Sequence, residues 1–355
     1  MLLLLVVLWL PGHVRAHERY VVDGRRETTL GEFFGAIVGD PLSLGLLAGG
    51  AGTVGAVAAG YLIVQPLRDD IAAFRLAMRE YGEYVPWLLR ISFGVPLIGA
   101  GFGGYFLSPA VGIELRVLQV GLGFLLLFGL ATRVVALGTL LAYLVGVISY
   151  PALLLQFDIV TGMVAVVLVG SGKPSADHVL YRVSEARGTM YGRVDFVHSW
   201  AREQQARLEP YTRLAPTVVR VGLGLTFVFL GVSEKLLSPG LGLAVVERYD
   251  LTAVIPVPAE LWVFGAGLAE VTLGTLLVVG LFTRASALTA MVMFTLTLFA
   301  LPDDPVLAHV GLYGLASVLL ITGSGPYGLD RRLTAVVADW QDAFVDRDPK
   351  GAPDR

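Results

Sequence analysis

Val218–Pro239 reads VVRVGLGLTFVFLGVSEKLLSP, and Leu88–Pro109, 130 residues upstream, reads LLRISFGVPLIGAGFGGYFLSP. Arg90, Gly94, Gly101, Leu107, Ser108 and Pro109 recur as Arg220, Gly224, Gly231, Leu237, Ser238 and Pro239. Both stretches are predominantly apolar and reach the roughly 20 residues a helix needs to cross hydrocarbon. At a shift of 151, Leu118–Leu137 (LQVGLGFLLLFGLATRVVAL) matches Ala269–Leu288 (AEVTLGTLLVVGLFTRASAL), with Gly-Leu-x-Thr-Arg in both. Gly170-Ser171-Gly172 followed by Asp177 then matches Gly323-Ser324-Gly325 followed by Asp330. Three blocks in one order read as an internal repeat, a four-span module present twice. The copies differ in their ionisable residues. Glu234-Lys235 replace Gly104-Tyr105, Glu270 stands where the first copy has Gln119, and His309 where it has Asp158. The second copy is expected to do the chemistry and the first to support it.

Composition sets the solvent. Hydrophobic residues are 55% of the chain and charged residues 15%, with a mean hydropathy of +0.72, more apolar surface than a soluble domain can bury. The expected fold class is all-α: a polytopic membrane bundle of two parallel four-helix repeats plus one N-terminal span. The 43 glycines fit membrane helices that approach closely. Cysteine is absent, which excludes disulfides, iron–sulfur ligation and a Cys-x-x-Cys redox pair. Of five histidines, only His309 falls in a span, so bis-histidine haem within the chain is excluded and a multi-histidine metal site is not expected. No basic stretch suits nucleic acid.

Along the chain, residues 1–16 read as a signal peptide: an apolar run, Leu2–Leu10, precedes Val14-Arg15-Ala16. A polar extracellular segment (17–40) leads to an extra span (41–64) and a cytoplasmic interfacial segment (65–86) carrying Arg68, Arg75 and Arg79. The first module (87–172) offers spans near Trp87–Leu107, Val111–Ala131, Val134–Tyr150 and Ala152–Val169. A charged cytoplasmic linker (173–215) follows, helical over Ser199–Leu214. The second module (216–333) offers Pro216–Leu237, Ala259–Phe282, Ala285–Leu301 and Pro305–Thr322, and a cytoplasmic tail (334–355) ends the chain. Nine spans gather the Arg-rich segments 65–86 and 173–215 on one side. The positive-inside rule makes that side cytoplasmic, with the mature N-terminus outside and the C-terminus inside a cell membrane.

Ionisable groups in a span cost roughly 2.5–3.5 kcal/mol each on insertion scales and normally face a partner. Glu270 lies midway down its span with Gly267 and Gly274 on the same helical face, turned toward a close neighbour. It reads either as a proton-accepting or quinone-contacting carboxylate, or as interhelix glue like Gln119. Glu234 and Lys235 end their span at the outer side; Lys235 is a site amine or a snorkelling anchor. His309 opens the last span after Pro302-Asp303-Asp304-Pro305, as a proton shuttle, a donor to a quinone carbonyl, or a structural histidine. Arg90, Arg220, Arg133 and Arg284, present in both copies, read as helix-end anchors. Asp330 reads as an N-cap for the tail.

The second copy resembles the DoxX/DoxD family of small four-helix membrane proteins. The matching elements are Arg220 with Gly224, Gly231 to Lys235 (GVSEK), Glu270 with Gly274, Gly280 to Arg284 (GLFTR), His309, and Gly323-Ser-Gly-Pro with Leu329-Asp330. The resemblance covers Thr217–Leu333 well and Leu88–Leu180 faintly. It implies association with thiosulfate:quinone oxidoreductases, terminal quinol oxidases or oxidative-stress membrane complexes. The expectation that follows is a quinone-interacting, redox-associated subunit working beside a redox-enzyme partner. Glu270 would take or relay the proton, Lys235 would hold an anionic substrate or semiquinone, and Glu234 and His309 would tune an outward-facing pocket. Two other classes stay open: a non-catalytic scaffold docking soluble partners through the linker and tail, and a small-solute permease.

Overall fold

The computed structural model describes residues 21, 22, 24, 26–64, 67–112, 115–186, 189 and 203–332. The expected signal peptide (1–16), the tail (334–355) and most of the linker's middle lie outside the described residues. Every regular element among the described residues is a helix.

Helix α1 (Leu30–Gly39) starts from a capping box in which Thr29 and Glu32 satisfy each other's exposed amides. Helix α2 (Pro41–Val64) follows after Asp40, whose carboxylate accepts from the Leu42 and Ser43 amides. Its 24 residues are almost unburied by the protein, as expected for an apolar helix facing lipid. The interfacial segment is α3 (Arg68–Glu80), continuous through one tight turn with α4 (Val85–Gly103). The rest of the first half is α5 (Arg116–Phe128), α6 (Thr132–Ser149) and α7 (Phe157–Val169). The linker contributes α8 (Ala176–Glu185), capped by Ser175, and a helical stretch from residue 203 that runs into α9 (Ala215–Leu230). The second half continues with α10 (Pro239–Arg248), α11 (Leu251–Val254), α12 (Ala259–Val279), α13 (Thr283–Ala300) and α14 (Val306–Thr322).

Seven described helices are long and apolar enough to cross a membrane, which makes the molecule a polytopic helical membrane bundle. Two of the nine expected spans are shorter. Val111–Ala131 is helical only over Arg116–Phe128, about 20 Å at 1.5 Å per residue. Its first residues instead form a turn in which Ser108 and Val111 bond back to Phe106. The last span is the 17-residue α14.

The halves interlock. Within each half the first helix crosses the second through a glycine pair, Gly94 with Gly123 and Gly224 with Gly274. A Cβ on Gly274 would lie 2.5 Å from the Gly224 carbonyl, and one on Gly123 2.8 Å from that of Gly94, so only glycine permits either crossing. Between halves, α4 packs on α14 and α9 on α7. The hydroxyl-bearing residues there meet glycines, Ser92 against Gly314 and Thr161 against Gly222. One buried core runs through both halves, from Leu89, Phe93 and Met163 to Leu223, Leu315 and Leu319.

At one end of the bundle both halves make the same bonds. The Asp177 amide donates to the Gly129 carbonyl and the Asp330 amide to that of Gly280, both at 2.9 Å. The Asp177 carboxylate accepts from the Ala131 and Thr132 amides, and the Asp330 carboxylate from those of Phe282 and Thr283. Asp330 therefore caps the start of α13, where the sequence alone pointed to the tail. Arg90 and Arg220, both buried, donate to carbonyls at the ends of α5 and α12, and Arg133 and Arg284 to those ending α7 and α14. The loop that lengthens the second half is folded as α10 and α11. It forms a second apolar cluster with Val21, Val22, Phe33 and Ile37 over the opposite end.

Candidate functional site

At that opposite end the two halves diverge. Helix α4 stops at Gly103 because Gly104 turns left-handed (φ 75°). Helix α9 does not stop: Gly231 keeps a helical φ of −58°, and Gly231–Leu236 adds one π turn holding Glu234 and Lys235. Such widened turns re-aim side chains and recur at functional sites. Gly231 and Gly267 bring the turn against α12, where a Cβ on Gly231 would meet Glu270 Cβ at 3.1 Å and one on Gly267 would meet Lys235 Cβ at 3.0 Å.

Lys235 Nζ lies 3.0 Å from Glu270 Oε1, the two side chains being 17% and 16% exposed. Close by, His309 Nε2 lies 3.6 Å from Asp304 Oδ2, both groups buried. The other imidazole nitrogen, Nδ1, faces the Pro305 carbonyl at 3.4 Å. With its proton on Nδ1, a neutral imidazole leaves Nε2 as an acceptor toward Asp304, so the pair shares a proton or forms an ion pair. Burial pushes the Asp304 carboxyl above its ordinary value, while the positive charges of His309 and Lys235 pull it back. Lys235 thus acts on Glu270 and Asp304 together, and the four groups form one cluster. Glu234 is buried in the same turn. Two carboxylate oxygens of the cluster, Glu270 Oε2 and Asp304 Oδ1, are buried with no hydrogen-bond partner among the described residues.

Asp304 is the member that sequence reasoning quoted without assigning. The only sequence signal for it is the Asp303-Asp304 pair before the helix that carries His309. Asp303 faces the other way, accepting from Arg248 at 2.8 Å and from the Tyr249 hydroxyl at 2.7 Å. These bonds fasten α10 to the loop whose next residue belongs to the cluster. On its membrane side the cluster meets a ring stack: Phe294 lies edge-on to His309 at 6.0 Å and stacks on Phe227 at 5.5 Å.

In the first half, Gln119 donates from Nε2 to the Tyr105 carbonyl at 3.1 Å and accepts from the Leu107 amide at 3.2 Å. Position for position, Tyr105 corresponds to Lys235 and Gln119 to Glu270, so an amide closing a backbone turn stands where a carboxylate meets an ammonium. The pairing of His309 with Asp158 shifts in space. Counted back from the matching caps Gly170 (φ 76°, ψ −159°) and Gly323 (φ 75°, ψ −155°), Asp158 falls opposite Gly311 and His309 opposite Gln156. A cleft opens on the first half, between α4, α7 and the start of α14. Among the described residues no group of three or more His, Asp or Glu side chains is placed to hold a metal ion.

No curated protein and no solved structure matches the chain. The DoxX family model matches residues 215–303, a stretch that holds Glu234, Lys235 and Glu270 and ends just before Asp304. Through that match residues 215–303 are identified as a DoxX domain, consistent with a DoxX family membrane protein, within a chain of helical, membrane-crossing build.

Proposed function

We propose that the protein is a redox-associated membrane subunit whose second half handles a quinone at the Lys235–Glu270–Asp304–His309 cluster. The observation that carries this is the pair of buried oxygens, Glu270 Oε2 and Asp304 Oδ1, that have no hydrogen-bond partner among the described residues, beside the Lys235 ammonium and the His309 imidazole. The donor and acceptor set fits both forms of such a carrier. Lys235 can donate to a carbonyl oxygen, as can His309 when its Nε2 carries a proton, and Glu270 Oε2 and Asp304 Oδ1 can accept from the hydroxyls of the reduced form. A bound quinone would supply the electron chemistry, taking up two electrons and two protons. The chain's own part is to orient the ring edge between Lys235 and His309, hold a proton at Glu270 or Asp304, and use Phe227 and Phe294 to keep water from one side. Glu234 adds negative charge to the turn that carries Lys235.

Three further readings belong to this proposal. The matched bonds of Asp177 and Asp330, and the two glycine crossings, support a duplicated module. The arginine distribution supports a cytoplasmic C-terminus and an outer Lys235 end. A redox-enzyme partner would then supply electrons, the chain having no cysteine for an iron–sulfur cluster or a thiol–disulfide pair.

The test is extraction of lipid-soluble carriers from the purified protein, paired with quinone reduction by membranes with and without the gene. Co-purified quinone and lowered reduction in the deletion are expected. Absence of both would remove the quinone reading and leave the scaffold.

A further inference from the structure

The cleft on the first half is lined by none of the residues of the Lys235 cluster, although Ala308 and Gly311 flank His309 on α14, and it has no role in the proposal above. It holds about 40 Å³ of enclosed space behind an open mouth. Its walls are largely apolar, with Phe93, Pro96, Leu97 and Met163 from the first half and Leu307 and Ala308 from α14. Its polar groups are Tyr105, Thr139, Gln156 and Asp158, and no basic side chain lines it.

Asp158 is buried at 6% exposure in the first turn of α7. The fold makes room for its carboxylate at Gly311, where a Cβ would come within 2.9 Å of Asp158 Oδ2. Nearby Tyr143 has its hydroxyl committed to the Leu153 carbonyl at 2.9 Å. In the second half, Phe227 takes the position of Leu97 and Phe294 that of Tyr143, and the two rings stack on each other. The Asp158 carboxylate accepts from its own and the Ile159 backbone amides at the start of α7, and among the described residues no cation lines the cleft, which leaves its charge open to a ligand that brings a positive charge.

We propose that this cleft binds a lipophilic organic cation, a protonated amine with a compact apolar body, with Asp158 as its counter-ion. The ammonium would lie against Asp158 and Gln156, and the apolar body against Leu97, Met163 and Leu307.

The test uses the full chain in nanodiscs, with empty nanodiscs subtracted, and two probes of one shape: 2-phenylethylammonium and neutral 2-phenylethanol. Isothermal titration should show saturable binding of the ammonium by the wild type. Asp158→Asn should weaken the ammonium at least tenfold and leave the alcohol within about twofold. Ala308→Trp, which fills the mouth and leaves the carboxylate in place, should abolish saturable binding of both probes. Gel filtration and thermal unfolding report whether each variant is folded; if Asp158→Asn is not, Ala308→Trp decides alone. No saturable ammonium binding by the wild type would overturn the proposal. So would equal weakening of both probes by Asp158→Asn, or unchanged binding in Ala308→Trp.

Discussion

The two halves share their packing and differ in what they do with one end. At the Arg90 and Arg220 end, carbonyl caps, Asp-held turns and glycine crossings correspond nearly bond for bond. At the other end, the first half closes a backbone turn with Gln119 and keeps a cleft under Asp158. The second half inserts a π turn, pairs Lys235 with Glu270, and stacks Phe227 on Phe294. The shared end therefore reads as scaffold, and the divergent end as the place where each half was adapted. Sequence comparison alone assigned chemistry to the second half and support to the first. The geometry supports a narrower statement, because the first half holds a buried acid and an open cleft of its own.

The largest expected effect comes from Glu270→Gln. Glutamine keeps an acceptor for Lys235 and the shape of the side chain, so the protein should fold. It cannot ionise, so quinone-linked function should fall about a hundredfold or more if Glu270 handles a proton. Complementation of a deletion strain with undiminished quinone reduction would make Glu270 interhelix glue and erase the difference in role between the halves.

Next in size are the glycine crossings. Gly274→Ala and Gly123→Ala each press a methyl on a facing backbone carbonyl, with the tighter approach in the second half. Each should cost about 1–3 kcal/mol, Gly274→Ala more than Gly123→Ala. Thermal unfolding in detergent checks the order, and a reversal would mean that the second half relaxes more readily than its packing implies. Smaller again is Gln119→Glu. A carboxylate cannot donate to the Tyr105 carbonyl, so that bond is lost beside a buried charge, at about 1–3 kcal/mol, with no gain of function. Stability equal to the wild type would show that a partner for the charge exists in the first half too.

What the sequence made legible were features set by spacing within one helix. Gly94 and Gly224, Arg90 and Arg220, and the position of Glu270 between Gly267 and Gly274 all follow from helical period and apolar length. What stayed hidden depends on where separate segments meet. Asp304 joins the cluster only because the loop between α13 and α14 returns toward Lys235. The π turn adds one residue to a helical turn and has no sequence period of its own. The Asp158 cleft is lined by α4, α7 and α14 together, a meeting of separate segments that no one stretch of sequence announces. The expected span at Val111–Ala131 shortened because Phe106, Ser108 and Val111 close a turn that hydropathy does not register.

The smallest effect is on pH dependence, and it bears on how the second half holds charge. Burial raises the Asp304 carboxyl, against the pull of His309 and Lys235. A group whose folded-state value is raised gives stability that is complete below its unfolded value and lost as pH rises through the folded one. Wild type should therefore lose stability, relative to Asp304→Asn, as pH climbs from the ordinary aspartate range toward the raised value, and the two should converge at lower pH. Asparagine mimics the protonated acid in shape and cannot lose the proton, so the variant's profile should be flatter. Unfolding midpoints measured side by side across that range check this. If Asp304→Asn instead costs most stability at neutral pH, Asp304 is ionised in the folded protein and holds His309 and Lys235 as a charge partner. The second half would then contain two ion pairs, with Glu270 left as the group able to carry a proton.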